Sequence, residues 1–324
     1  MITKTAILIP YFGYKPEWFD YFLLTCSKNL RFDWLFFTDC LKSRYNYSNT
    51  RFIPMTLDDF NILSSEKLGF DIRIKHPYKI CELKPAYGLI FEGFLKDYEF
   101  WGYGDIDLVY GNILEILPDN WETKYDILAN NINFIPGHFC ILRNNKMVKT
   151  LFTQIKSYRK IFQSPYYHGF DEILHPLKVI PHSGIISCSK AIKTYYHLIL
   201  SGIIRQIKKT SLKKPSFIKI RVSKNNKFSS INDFSDIVRY HVSIKNINVW
   251  YNISYSSDLM LRRKKIAAWR IEWKNGRLLN KNTNETLMYF HFFLSKTSRK
   301  FILQKFEPDI TRFYLSKTGI RCEY

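Results

Sequence analysis

Residues 101–111 read WGYGDIDLVYG, with Asp105 and Asp107 set inside an otherwise apolar and aromatic run. On an extended strand, side chains two apart share a face, so both carboxylates are expected to project together while Ile106 faces the other way. Two like charges held close repel. Burying them unpartnered costs roughly several kcal/mol or keeps one protonated, and a divalent cation between them removes that penalty. The alternative is an exposed turn with two solvated acids, against which Trp101, Tyr103, Leu108, Val109 and Tyr110 all weigh.

Upstream, the segment 77–100 predicts a helical stretch through about Leu95 and then a turn into the strand that carries the aspartates. The pair therefore falls at or near a strand end. At the start of the chain, Thr5 to Pro10 (TAILIP) is a buried strand running into Tyr11-Phe12-Gly13. Pro16 suits the first turn of a helix on which Phe19, Phe22, Leu23, Cys26 and Leu30 recur at helical spacing. Trp34 to Thr38 (WLFFT) is a second buried strand, ending at Asp39. This β-α-β opening predicts an α/β fold, a Rossmann-like, mostly parallel sheet flanked by helices, whose ligands gather at the carboxyl ends of strands. Tyr11 and Asp39 both belong there.

Downstream, residues 126–134 (DILANNINF) and 139–142 (FCIL) are expected strands, and 147–163 is expected to be helical. Residues 166–174 (YYHGFDEIL) end an aromatic loop in Asp171 and Glu172 at a helix start. Around Asn275-Gly276, AAWRIEWKNGRLL alternates with period two, a strong hairpin signal. In ETLMYFHFFLSK, Tyr289, His291 and Phe293 are expected on one strand face. We treat 1–324 as a single domain with a basic amphipathic insertion at 187–230, a C-terminal β-hairpin region and a basic extension at 297–324.

The net charge is +21 over 324 residues, which implies an anionic partner: nucleic acid, an anionic membrane face or phosphorylated substrates. The excess is local. Ser187 to Asn232 contains no Asp or Glu, while Lys208, Lys209, Lys213, Lys214 and their neighbours crowd the same stretch. A solvated helix face is the plain reading; docking on anionic lipid is the functional one, with Tyr195, Tyr196, Leu198, Leu200, Ile203 and Ile204 as its apolar side. The six cysteines show no metal or disulfide spacing. No run approaches a membrane span, and the opening MITKTAILIPYFGYK lacks a cleavage-site pattern, so a cytoplasmic protein is expected.

The segments KICELKPAYGLIFEGFL (79–95), YEFWGYGDIDLVYGNI (98–113), GHFCILRNN (137–145) and MYFHFFLSK (288–296) together resemble bacterial GT-A glycosyltransferases with a DXD motif. The similarity is to a group found among capsule and O-antigen polysaccharide genes, over about residues 3–180 and 265–296. It implies a GT-A-like fold and a metal-dependent glycosyltransferase that moves a sugar from a nucleotide-diphosphate donor, such as a UDP-sugar, to a lipid-linked glycan. Asp105 and Asp107 match the acids that hold Mn2+ or Mg2+, and His291 resembles a further metal ligand. Taken alone, His291 reads as a core histidine among aromatics, and the resemblance reverses that reading.

Lys296 resembles a diphosphate contact; Lys79 and Lys84 bracket Ile80-Cys81-Glu82-Leu83 at the start of an expected helix, where cationic side chains and free backbone N–H groups attract phosphate, with ordinary solvated lysines as the alternative. Tyr11 and Asp39 resemble base and ribose contacts, and Gly137 and His138 a sugar-binding loop. Asp171 or Glu172 would serve as general base in an inverting reaction, or else simply cap and begin a helix. The resemblance places the enzyme on the inner face of the cytoplasmic membrane, beside an acceptor on a lipid diphosphate carrier, with no nucleic acid partner. Two rivals stand beside it. One is a metal-dependent nuclease, although the basic residues lie far in sequence from the paired acids. The other is a non-catalytic membrane-associated assembly protein.

Overall fold

The computed structural model describes residues 4–131, 135–171, 177–181, 218–222, 233–263, 269–292, 295–298 and 300–322. The chain opens with β1 (Thr5–Tyr11), α1 (Phe19–Ser27), β2 (Phe32–Thr38), β3 (Thr50–Pro54) and α2 (Leu57–Leu68). β4 (Phe100–Gly104) and β5 (Leu108–Tyr110) flank the two aspartates, and β6 (Ile127–Leu128) and β7 (Phe139–Arg143) follow. β8 (Leu177–Pro181) and β9 (Ile218–Val222) pair antiparallel with each other. Then come β10 (Val249–Trp250), β11 (Tyr255–Ser257), β12 (Ile271–Lys274), β13 (Arg277–Asn280), β14 (Glu285–Leu287) and β15 (Tyr289–His291). The last three are β16 (Ile302–Leu303), β17 (Arg312–Ser316) and β18 (Gly319–Arg321).

The architecture is mixed α/β around a seven-stranded, parallel-rich sheet of order β10-β6-β7-β4-β1-β2-β3. β1 lies between β2 and β4, parallel to both, and β2 is parallel to β3. β1 and β2 are apolar on both faces because both are covered, as central parallel strands require. One core cluster, with Leu8, Phe37, Tyr87 and Trp101, fills one face. A second, with Ile7, Phe22, Trp34 and Tyr110, fills the other. β7 runs antiparallel to β4.

Several local expectations change in detail. α1 begins at Phe19, so Pro16 lies in the turn before it, where its carbonyl accepts from Phe19 N–H. The expected strand at 126–134 shrinks to Ile127–Leu128, with 132–134 outside the described residues. The stretch 77–95 winds as a 3-10 helix over Pro77–Ala86, an α turn over Tyr87–Ile90 and a 3-10 turn over Glu92–Phe94. Pro85 offers no N–H inside it, which disfavours a continuous α-helix.

The Asn275-Gly276 hairpin joins β12 to β13, with positive φ at both residues (49° and 90°), as a two-residue primed turn needs. β12–β14 and β16–β18 form one six-stranded sheet, so residues 302–321 are built into it rather than extending past it. A third core cluster packs Trp273 and Phe313 of this sheet against Phe290 of β15, Val109 of β5 and Tyr21 of α1. Of the basic insertion 187–230, the helix expected at 190–209 lies outside the described residues. No helix among the described residues is long and apolar enough to cross a membrane.

Candidate metal centre

Asp105, Ile106 and Asp107 do not continue a strand. They form the break between β4, in the large sheet, and β5, in a separate three-stranded sheet of order β11-β15-β5. Strand alternation therefore does not bring these two acids together, and their approach has another cause. The backbone is pinned at each acid: Asp105 N–H donates to the His138 carbonyl at 2.9 Å, and the Asp107 carbonyl accepts from Phe292 N–H at 2.9 Å. Trp18 Nε1 holds the middle, donating to the Ile106 carbonyl at 2.9 Å.

The glycines of GDIDLVYG explain the tightness of this break. A Cβ on Gly104 would meet the Tyr110 hydroxyl at 2.5 Å, and one on Gly111 would fall on the Leu287 carbonyl oxygen.

β15 pairs antiparallel with β5, setting His291 opposite Leu108, and so delivers the imidazole to the aspartates. One ligand atom from each of Asp105, Asp107 and His291 lies within 4.8 Å of the others. His291 Nε2 is 3.4 Å from Asp107 Oδ2. Asp107 is 3% exposed, and its Oδ1 is buried with no hydrogen-bond partner among the described residues. A buried, orphaned carboxylate oxygen is costly unless something fills the gap. Two carboxylate oxygens and an imidazole nitrogen are suitable donors for a divalent ion.

Two lysines compensate the acids. Lys296 Nζ donates to Asp107 Oδ2, and Lys84 Nζ donates to Asp105 Oδ1 at 2.5 Å and to the Gly137 carbonyl at 2.6 Å. Burial opposes ionisation of Asp107, yet Lys296 and His291 outweigh it and hold its carboxyl far below the usual range. Burial likewise opposes the charge on Lys84, and Asp105 first among its neighbours reverses the sign, leaving its pKa well above the ordinary lysine value. His138 stacks on His291 with ring centroids 4.8 Å apart, and its Nε2 meets the Tyr289 hydroxyl at 2.9 Å. Burial and the adjacent His291 push its pKa well down, so it is neutral.

The remaining sequence candidates fall in different places. Tyr11 ends β1, and Asp39 follows β2, accepting from Gly13 N–H at 3.3 Å. Both sit at carboxyl ends of parallel strands. Lys84 is buried behind Asp105, so it positions that carboxylate rather than presenting its charge to a phosphate. Lys79 is corrected outright: at 3% exposure its three protons go to Glu82, the Ile161 carbonyl and the Tyr166 carbonyl, leaving none for a diphosphate. Asp171 is buried, accepts from the Tyr167 hydroxyl at 2.9 Å and raises the pKa of Lys84 through its charge. Glu172 lies outside the described residues.

Sequence reasoning passed over Trp18, Asn130 and Asp258. Asn130 Nδ2 donates to the Tyr289 hydroxyl at 2.5 Å, while Asp258 accepts from Ser295 N–H beside Lys296. No spacing signal marked them, because their partners lie 88, 159 and 37 residues away.

Among solved structures, a galactosyltransferase, LgtC, in complex with donor and acceptor sugar analogues is similar at 12% identity and a TM-score of 0.30. That match covers 49% of this chain and 66% of the other, just under two thirds of its length. The apo form of a glycosyltransferase, GlyE, from Streptococcus pneumoniae TIGR4 matches at 9% identity and a TM-score of 0.30, over 79% of this chain and 68% of the other. Likenesses this slight carry no argument for what the centre does. No curated protein matches the chain. Over residues 7–323 it matches the model of a family of unknown function, DUF6625, and it belongs to that family.

Proposed function

We propose that the chain is a metal-dependent glycosyltransferase using a nucleotide-diphosphate sugar, in the first instance a UDP-sugar. One observation carries the reading: Asp105, Asp107 and His291 each bring a ligand atom within 4.8 Å of the others, and Asp107 Oδ1 is buried there with no hydrogen-bond partner among the described residues. Mn2+ or Mg2+ held there would neutralise a diphosphate leaving group.

The chain's own residues divide the remaining work. Lys84 fixes the Asp105 carboxylate from behind. Lys296 is half-buried, so its ammonium can turn from Asp107 toward a diphosphate arriving from solvent. Tyr11 and Asp39, at neighbouring strand ends, are the expected base and ribose contacts. Asp171 takes the acceptor proton if the reaction inverts. A glycan of the capsule or O-antigen kind on a lipid diphosphate suits the excess of positive charge, and we place the protein peripherally on the inner membrane face for the same reason.

The test is a panel of nucleotide sugars with Mn2+, followed by heat shift and slow donor hydrolysis, comparing native protein with Asp105→Ala and Asp107→Asn. Mn-dependent stabilisation by one nucleotide class, lost in both variants, is the expected result. The absence of any stabilisation across the panel, or salt-sensitive DNA affinity in its place, would defeat the proposal.

A further inference from the structure

The ion pair of Lys79 and Glu82 takes no part in the cation centre, yet it is almost completely buried. Burial pulls the Lys79 pKa down and pushes that of Glu82 up, so both charges are held against their solvation preference. Such a pair is tolerated only when further hydrogen bonds satisfy it. Here the end of the helix Tyr158–Gln163 and the loop after it supply them. Glu82 Oε1 accepts from the N–H groups of His168 and Phe170, the latter at 3.2 Å. Lys79 Nζ donates to the carbonyls of Ile161 at 2.8 Å and Tyr166 at 2.7 Å. The pair bolts residues 161–170 onto the 3-10 turns of Pro77–Ala86.

The fastened loop carries exposed aromatic rings. Tyr166 is 64% exposed, and the Tyr167 ring packs against Tyr78, itself 38% exposed, at a centroid distance of 5.1 Å. The Tyr167 hydroxyl donates to Asp171, whose charge reaches Lys84, which in turn holds Asp105. A short relay of contacts thus links Tyr167, and the Tyr78 ring beside it, to the cation centre.

We propose that Tyr78, Tyr166 and Tyr167 form a carbohydrate-binding shelf that takes a pyranose of the acceptor glycan on its ring faces, next to Asp171. This rests on the transferase reading of the cation centre. A pyranose presents one face of C–H groups inside a rim of hydroxyls, which matches rings that are apolar on the face and polar at the tip. A lipid chain would need a groove without polar tips, whereas the tyrosine hydroxyls supply polar tips beside the rings.

The experiment is saturation-transfer NMR on the whole protein with diamagnetic Mg2+ and UDP, against the methyl α- and β-pyranosides of glucose, galactose, mannose and N-acetylglucosamine. At least one pyranoside is expected to receive saturation, reduced about fivefold or more in Tyr166→Ala and in Tyr78→Ala. Tyr166→Phe keeps the ring and is expected to keep the signal, as is Tyr240→Ala, which removes an exposed ring on the helix Phe234–Ser243 that is not part of the shelf. If an alanine variant melts early, Tyr166→Leu, bulky but without a ring, repeats the test. Silence from every pyranoside, or a signal that survives both ring deletions in folded protein, overturns the shelf. Loss of UDP saturation in the same variants, with the pyranoside signals unchanged, would also overturn it, since the rings would then serve the donor base. A tyrosine-dependent pyranoside signal without any Mn-UDP heat shift would leave the shelf standing and sink the transferase reading instead.

Discussion

The ammonium of Lys296 donates to the carboxylate of Asp107 across 189 residues of chain. Without a metal, that contact is what makes a buried aspartate acceptable. It also means that Lys296 and a divalent ion compete for one carboxylate. Lys296→Ala should therefore bind Mn2+ alone about tenfold more tightly, a change of about 1.4 kcal/mol. The same variant should lose most of the extra affinity that UDP gives, because the cation that meets the diphosphate is gone. Calorimetric titration of Mn2+ with and without UDP reads both effects, and weaker Mn2+ binding by the variant alone would contradict the competition.

Gly111 closes the GDIDLVYG break, where a β-carbon would strike the Leu287 backbone. Backbone cannot step aside as a flexible side chain can. Gly111→Ala is expected to destabilise the fold by roughly 1–3 kcal/mol, as overpacking of a tight site does. Gly93→Ala, with open space at the same distance, is the control and should be near neutral. Urea unfolding of the two variants separates steric crowding from a general intolerance of alanine.

What the sequence carried legibly was local. The apolar runs of β1 and β2 and the Asn275-Gly276 turn depend on neighbours within a few residues, and they fold as their patterns imply. The acids of Asp105 and Asp107 stood out against an aromatic run for the same reason. Their geometry did not, because it comes from β4 and β5 leaving for different sheets and from partners at His138 and Phe292. Lys79 misled because a lysine near a helix start reads as solvated or phosphate-binding, whereas two of its three acceptors arrive from more than 80 residues away. The compensation of both acids by lysines was hidden in the same way, one partner being 21 residues distant and the other 189.

His241 should make stability depend on pH. Its ring is buried, with Nε2 at 3.0 Å from Gln154 Oε1 and Nδ1 at 2.9 Å from Asn246 Nδ2, a pattern that suits the neutral ring. Burial lowers its pKa in the folded state. On acidification the unfolded chain then takes up this proton first, so stability falls as pH drops through the ordinary histidine range toward the depressed folded value. Urea midpoints at pH 7.5, 6.5 and 5.5 should decline for the native protein and decline less for His241→Gln. Parallel declines in the two proteins would assign the effect elsewhere, with His168, also depressed by burial and by Lys79, as the next group to change.

Asp258 acts on the centre at one remove. It follows Ser257, which pairs with His291 in the three-stranded sheet, and its carboxylate accepts from the backbone N–H of Ser295. Ser295 opens the 3-10 turn that carries Lys296, so one buried acid ties the strand bearing the imidazole to the turn bearing the ammonium. Asp258→Ala leaves the Ser295 N–H buried without its acceptor, at a cost of about 1–3 kcal/mol, and frees the turn. UDP affinity in the presence of Mn2+ should fall about tenfold, while affinity for Mn2+ alone should not weaken and should shift, by less than about tenfold, in the direction of Lys296→Ala, because Asp105, Asp107 and His291 are untouched and the competing ammonium is loosened. Asp258→Asn retains an oxygen that can accept the same hydrogen bond and should recover most of the loss. If Asn fares no better than Ala, then the charge of Asp258, which also raises the Lys296 pKa, matters more than the hydrogen bond it makes.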